Sequence, residues 1–166
     1  MFTRFAGLFF REEEPNLLVI TSHSSEQSFE IRLRLNVDNI VFHDMKKNKT
    51  IPVNKGCQVF ITSSQGITRG QNPITSSEIY IKNGDELHLL CSFVVFEELN
   101  DLRKTGCYKL AEHIANILKN KYGVEWEYKI CIDTPEKQKE FNLGILLMIL
   151  IWIITFSAIY LQAKHS

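Results

Sequence analysis

Leu143–Leu161 is a run of 19 residues without a charged side chain, and no other stretch of the chain constrains its fold so tightly. As a helix rising ~1.5 Å per residue it would span about 28 Å, close to the ~30 Å hydrocarbon core of a bilayer. Leu, Ile, Met, Phe and Trp fall on every helical face of the run. An amphipathic surface helix would instead show a polar stripe. Thr155 and Ser157 can bond back to their own helix carbonyls, and Tyr160 sits where an interfacial aromatic belongs. A buried core helix of this kind would need apolar neighbours on all sides, which a domain of roughly 140 residues does not supply. The reading is a transmembrane helix over 143–161 with a lumenal tail at 162–166.

Flanking charge sets the expected orientation. Lys129, Lys137 and Lys139 precede the run within 20 residues, and only Lys164 follows it. The positive-inside bias then places the large N-terminal part in the cytosol. A span this close to the C-terminus has the form of a tail anchor, inserted after translation. A strongly apolar tail with one lysine behind it points first to the endoplasmic reticulum and nuclear envelope, and second to the mitochondrial outer membrane. Asn48-Lys49-Thr50 is a glycosylation sequon that such a topology would leave silent.

The N-terminal residues do not offer a competing targeting signal. "MFTRFAGLFF" is apolar, but "REEEPN" follows at once, with no small-residue cleavage site. Phe2, Phe5 and Phe9 would share one face of a helix, allowing a short membrane contact. The plainer reading of 1–14 is an apolar and acidic segment packing onto the domain.

Ahead of the span, residues 15–132 read as an α+β domain, an antiparallel sheet packed against one long helix, joined to the span by a short charged linker at 133–142. "FEIRLRLNV" alternates Phe29, Ile31, Leu33, Leu35 and Val37 against Glu30, Arg32, Arg34 and Asn36, the period of a half-buried strand. "VEWEYKICID" repeats that pattern, and "NLLVITS" and "CQVFITSS" are shorter strand candidates. "ELHLLCSFVVF" is apolar on both faces, as a central strand would be. Asn83-Gly84-Asp85 predicts a hairpin turn in front of it. From about Thr105 to Tyr122, Leu110, Ala111, Ile114, Ile117 and Leu118 recur at helical spacing. Lys119 and Lys121 fall in the last turn, and Gly123 stands where a glycine cap belongs. "SSQGITRGQNPITSS", from Ser63 to Ser77, reads as a long polar loop and as the loop best placed to bind a partner.

Two resemblances follow from these segments. Several strands before a helix resemble pleckstrin-homology architecture in outline, and the strand after the helix departs from it. "NKTIPVNKG" with "NGDELHLL" resembles the second half of a forkhead-associated domain, whose upstream glycine-arginine and serine-x-x-histidine elements this sequence lacks. Neither assigns a family.

Charge and composition narrow the function classes. The chain balances 19 basic against 19 acidic residues. That argues against a general nucleic-acid binder, which would carry a strongly basic domain. Cys57, Cys91, Cys107 and Cys131 are widely spaced, without a C-x-x-C pair. They read as reduced thiols in a cytosol-like compartment rather than a disulfide framework. Common nucleotide-binding, hydrolase and metalloprotease motifs are missing. Glu86 and His88 share a strand face at i,i+2 and form the nearest thing to an acid–base pair. No catalytic residue, cofactor or metal site is expected.

"HDMKKNKTIPVNKG" is the densest basic stretch. Lys46, Lys47, Lys49 and Lys55, extended by Arg32 and Arg34 on the alternating strand, make a candidate contact for anionic lipid or a protein partner. The functional expectation is a membrane-anchored, non-enzymatic interaction adaptor or complex subunit. Its partners would be the lipid bilayer and unidentified proteins, without nucleic acid. The alternatives are a membrane-proximal lipid-binding or transfer module and an accessory subunit of a membrane enzyme.

Overall fold

The computed structural model describes residues 2–23, 28–44, 47–67, 73–97, 101–129, 148 and 151–152. The chain divides into two compact units, Met1–Cys131 and Ile132–Ser166.

The described residues of the first unit form ten strands and one long helix. Six strands form an antiparallel meander in sequence order: β1 (Phe2–Phe5), β2 (Leu8–Glu14), β3 (Leu17–His23), β4 (Ser28–Leu35), β5 (Asn39–Asp44) and β6 (Asn48–Pro52). A second sheet has the order β10-β7-β8-β9, from β7 (Gln58–Ile67), β8 (Pro73–Asn83), β9 (Glu86–Val95) and β10 (Glu125–Tyr128). Helix α1 (Gly106–Tyr122) lies between β9 and β10 in sequence. The domain is therefore sheet-rich with one long helix, as the alternation predicts. It holds two sheets rather than the single one expected. The last strand departs from an all-antiparallel plan, because β10 pairs parallel with β7, Trp126 opposite Val59 and Tyr128 opposite Ile61. The returning helix allows this, since a parallel pair needs a long crossover.

Both sheets and the helix share one core. Leu18, Ile20, Ile31, Leu33, Ile40 and Ile51 from the six-stranded sheet join Val59, Ile61, Ile79, Ile81 and Phe93 from the other. Leu110, Ala111, Ile114, Ala115 and Leu118 complete it from α1. The helix begins where Thr105 Oγ1 accepts the Tyr108 amide and ends at Gly123, whose φ of 69° suits a glycine cap. That boundary is the one the sequence predicts. Asn83 and Glu86 pair across a two-residue turn, also as predicted, with Gly84 at a φ of 61°.

The N-terminal aromatic stretch forms a hairpin from which Leu8 and Phe10 enter the core: Ala6 and Gly7 both take positive φ, which turns the chain and pairs Phe5 with Leu8. Three expectations are corrected. Residues 63–77 are not one long loop, because β7 and β8 run through most of them and pair Ser63 with Ser77 and Ser64 with Ser76. Their hydroxyls bond across the pair at 2.7 and 2.8 Å, so polar residues serve as strand here. β9 is an edge strand, not a central one; its apolar inner face packs on the core, and its outer face is covered only in part. Val37 is not an inward strand residue but stands 93 % exposed after β4 ends.

Of the second unit, Met148, Ile151 and Trp152 are described. All three are helical, and their apolar side chains are exposed. No helix among the described residues is long and apolar enough to cross a membrane. The rest of 143–161 lies outside the described residues.

Candidate interaction surface

Strand alternation decides where the predicted cationic residues go. On β4, Ile31, Leu33 and Leu35 enter the core, which turns Glu30, Arg32 and Arg34 to the outer face. Register then aligns Arg32 with Val19 and His43, and Arg34 with Leu17 and Val41. Asn48 lies opposite His43 on β6, and His43 Nδ1 donates to Asn48 Oδ1. These residues enclose a groove of about 310 Å³ lined by Leu17, Arg32, Arg34, Val41, His43 and Asn48.

The floor of the groove is apolar, with Leu17 buried although it faces outward. The long stems of Arg32 and Arg34 border this apolar strip while their guanidinium groups reach solvent. The two arginines are not electrostatically alike. Arg32 is held by Glu30 at 2.7 Å and by Glu13 at 3.4 Å. The hydrogen bond and charge of Glu30 raise its pKa further above the ordinary guanidinium value. Arg34 is the more exposed of the two, and its guanidinium lies 4.0 Å from the Glu14 carboxylate. Arg34 is thus the cation best able to exchange its present contact for an incoming anion.

The lysines of the predicted patch do not join it. Lys49 pairs with Phe42, a residue packed on the core, and so lies on the opposite face of the sheet. Its ammonium donates to the Leu89 carbonyl at 3.4 Å on the edge of the second sheet. Lys47 closes the β5–β6 turn through its own backbone with Asp44. Lys55 lies beside Gly123 at the C-terminal end of α1. Lys46 is outside the described residues. The six-residue patch read from sequence is divided: Arg32 and Arg34 stay together, and Lys49 and Lys55 are elsewhere. Leu17, Val41, His43 and Asn48 line the groove, although none of them belongs to the patch read from the sequence. Only the register of β3 to β6 brings them together.

Two other polar groupings have structural explanations. Glu86 and His88 do meet, with Oε2 and Nε2 3.2 Å apart. The contact is not aligned as a hydrogen bond, and among the described residues the buried His88 Nε2 has no other polar partner. Beneath the N-terminus of α1, Ser63, Ser77, Cys107 and Thr105 form a buried chain of contacts at 2.7, 3.3 and 3.4 Å. Repeated Thr-Ser-Ser triplets on β7 and β8 are the sequence signal for it. The chain satisfies polar groups where the helix meets the sheet. Among the described residues, no group of three His, Cys, Asp or Glu could hold a metal ion.

No protein-family model matches the chain, and neither curated proteins nor solved structures give a match.

Proposed function

We propose that this is a single-pass membrane protein whose folded unit, Met1–Cys131, recruits a protein partner through the groove of the six-stranded sheet. The partner presents a carboxylate-bearing segment with an apolar side chain beside the acid. Arg34 takes the carboxylate and Leu17 and Val41 take the apolar group. Arg32, already braced by Glu30 and Glu13, holds the shape of the site. The unit acts as an adaptor or complex subunit and not as an enzyme.

The observation that carries this reading is the combination of Arg34, loosely paired at 4.0 Å, with an apolar floor in one groove. A discrete groove suits a peptide segment better than a membrane surface. Surface attraction to anionic lipid needs several cations on one face, each worth ~1 kcal/mol. Here Lys49 and Lys55 are directed elsewhere. Support for the anchor comes from the uncharged run 143–161 and from the exposed apolar side chains of Met148, Ile151 and Trp152 on helical backbone. With three lysines ahead of the run and one behind, the folded unit would face the cytosol, at the endoplasmic reticulum or nuclear envelope.

Photocrosslinking in intact cells tests the reading. A photoreactive residue in place of Asn48, in the full-length chain, should yield a protein adduct that Arg34→Glu abolishes. A lipid adduct would favour the membrane-binding alternative. A protein adduct unchanged by Arg34→Glu would remove the groove from the mechanism.

A further inference from the structure

The β9 edge of the four-stranded sheet is a second surface, distinct from the groove. β9 ends the order β10-β7-β8-β9, and no described strand pairs with its outer edge. Exposed edges are templates for further pairing, and natural proteins blunt them with charge, proline, bulges or short length. β9 is ten residues long, and Leu87–Phe96 contains no Asp, Glu, Lys, Arg or Pro. Its protective devices sit in the first half. The pairing with β8 shifts register between Ile79 and Tyr80, and Lys49 caps the Leu89 carbonyl. Beyond that point, Cys91–Val95 carries neither.

The same strand exposes apolar side chains. Leu89 and Val94 are each 39 % exposed, and Phe96, just after the strand, is 50 % exposed. Leu89 lies opposite Tyr80 and Val94 opposite Ser76, so both project from the outer face of the sheet. Edge and stripe therefore adjoin.

We infer that β9 pairs antiparallel with β9 of a second copy of this chain, joining two four-stranded sheets into one of eight strands. Charge selects this occupant. The other sheet edges carry ionic residues, Arg4 on β1, Lys49 on β6, and Glu125 and Glu127 on β10. The stretch Leu87–Phe96, without Asp, Glu, Lys or Arg, offers no counter-charge to those edges, whereas self-pairing over Cys91–Val95 sets no like charges opposite each other. A two-fold axis normal to the sheet keeps the outer faces on one side, so the Leu89 and Val94 stripes become neighbours. The contact is isologous and closes at two copies. A half-strand pair buries less than the ~1,200 Å² of a stable complex, so the dimer should dissociate on dilution. The groove on the other sheet stays open, and each dimer would present two of them, with the gain in avidity that pairing brings.

The test is the mass of the full-length protein in detergent by light scattering across a dilution series. The wild-type chain should pass from dimer to monomer. Val94→Lys and Ser92→Lys, at positions where a lysine can reach solvent, should raise the dimer dissociation constant at least tenfold with unchanged circular dichroism. Val37→Lys, at the exposed β4–β5 turn of the other sheet, should leave it alone. A wild-type monomer at every concentration would overturn the inference. So would a dimer indifferent to both β9 variants, which would place the contact elsewhere, the apolar run included.

Discussion

Gly106 opens α1 directly against Ala6 in the first hairpin turn. A β-carbon at 106 would collide with Ala6 Cβ and lie 3.0 Å from both the Ala6 nitrogen and the Phe5 carbonyl carbon. The contact ties the start of the helix to the N-terminal strands, so residues 2–14 belong to the domain's packing.

Gly106→Ala should therefore destabilise the domain, although alanine is the better helix former. Overpacking of this kind costs ~1–3 kcal/mol, which exceeds the propensity gain at a first-turn position. Ala6 sits at a φ of 44°, so Ala6→Gly both relaxes the turn and removes the colliding methyl. In the Gly106→Ala background, Ala6→Gly should restore part of the loss. Denaturant midpoints for the two single variants and the double variant would read the coupling. Strict additivity would show that the two residues do not press on one another.

Tyr122 closes the other end of the helix onto the β4–β5 turn. Its hydroxyl donates to the carbonyls of Asn36 at 2.8 Å and Asn39 at 3.2 Å. Burial, then the charge of Asp38, pushes its pKa from 10 up to about 12. The folded state thus favours the protonated phenol. Its contribution is intact below pH 10 and is lost as pH rises toward 12. Tyr122→Phe should cost about 1 kcal/mol at neutral pH, because water can replace part of the donation at a turn. It should also flatten the decline of stability between pH 10 and 12, measured by urea unfolding at fixed pH values. An unchanged alkaline slope would place that titration elsewhere.

Local chemistry made some elements readable and topology hid others. The α1 boundaries follow from Thr105, the spacing of Leu110, Ile114 and Leu118, and Gly123, all within one segment. The 83–86 turn is likewise written in adjacent residues. β9 reads from sequence as a central strand because apolar residues lie on both of its faces. An edge strand with a bulge can place Leu90 and Cys91 both in the core and leave Leu89 exposed. Ser63–Ser77 looked like a loop because cross-strand hydroxyl pairs have no apolar alternation. The groove illustrates the same limit. A dense basic run suggested one patch, yet each one-residue step along a strand changes face. Which face Lys49 takes, and that Arg34 meets Val41, depends on the pairing of β4, β5 and β6.

The described cysteines should be silent in the native state. Cys57, Cys91 and Cys107 are free and buried. Burial raises the Cys91 thiol well above its ordinary pKa, so its thiolate is scarce. A short maleimide pulse on the folded protein, read by peptide mass spectrometry, should leave these three unmodified. The same pulse in denaturant should label all of them. Rapid native labelling of Cys91 or Cys107 would mean that the sheet–helix contact opens readily.

Membrane topology can be read at Asn48, which is exposed and begins the sequon Asn48-Lys49-Thr50. With the folded unit in the cytosol, that asparagine never meets the lumenal glycosylation machinery and should carry no glycan. A sequon on a tail added behind Ser166 would lie across the bilayer and should be glycosylated, seen as a mass shift removed by an endoglycosidase. Ile151→Lys with Ile154→Lys would put two charges near the middle of the apolar run, each costing ~2.5–3.5 kcal/mol in a bilayer. That variant should move to the soluble fraction on carbonate extraction and lose the tail glycan. Glycosylation at Asn48 would invert the proposed orientation and put the groove in the lumen. Wild-type protein fully released by carbonate would remove the anchor itself.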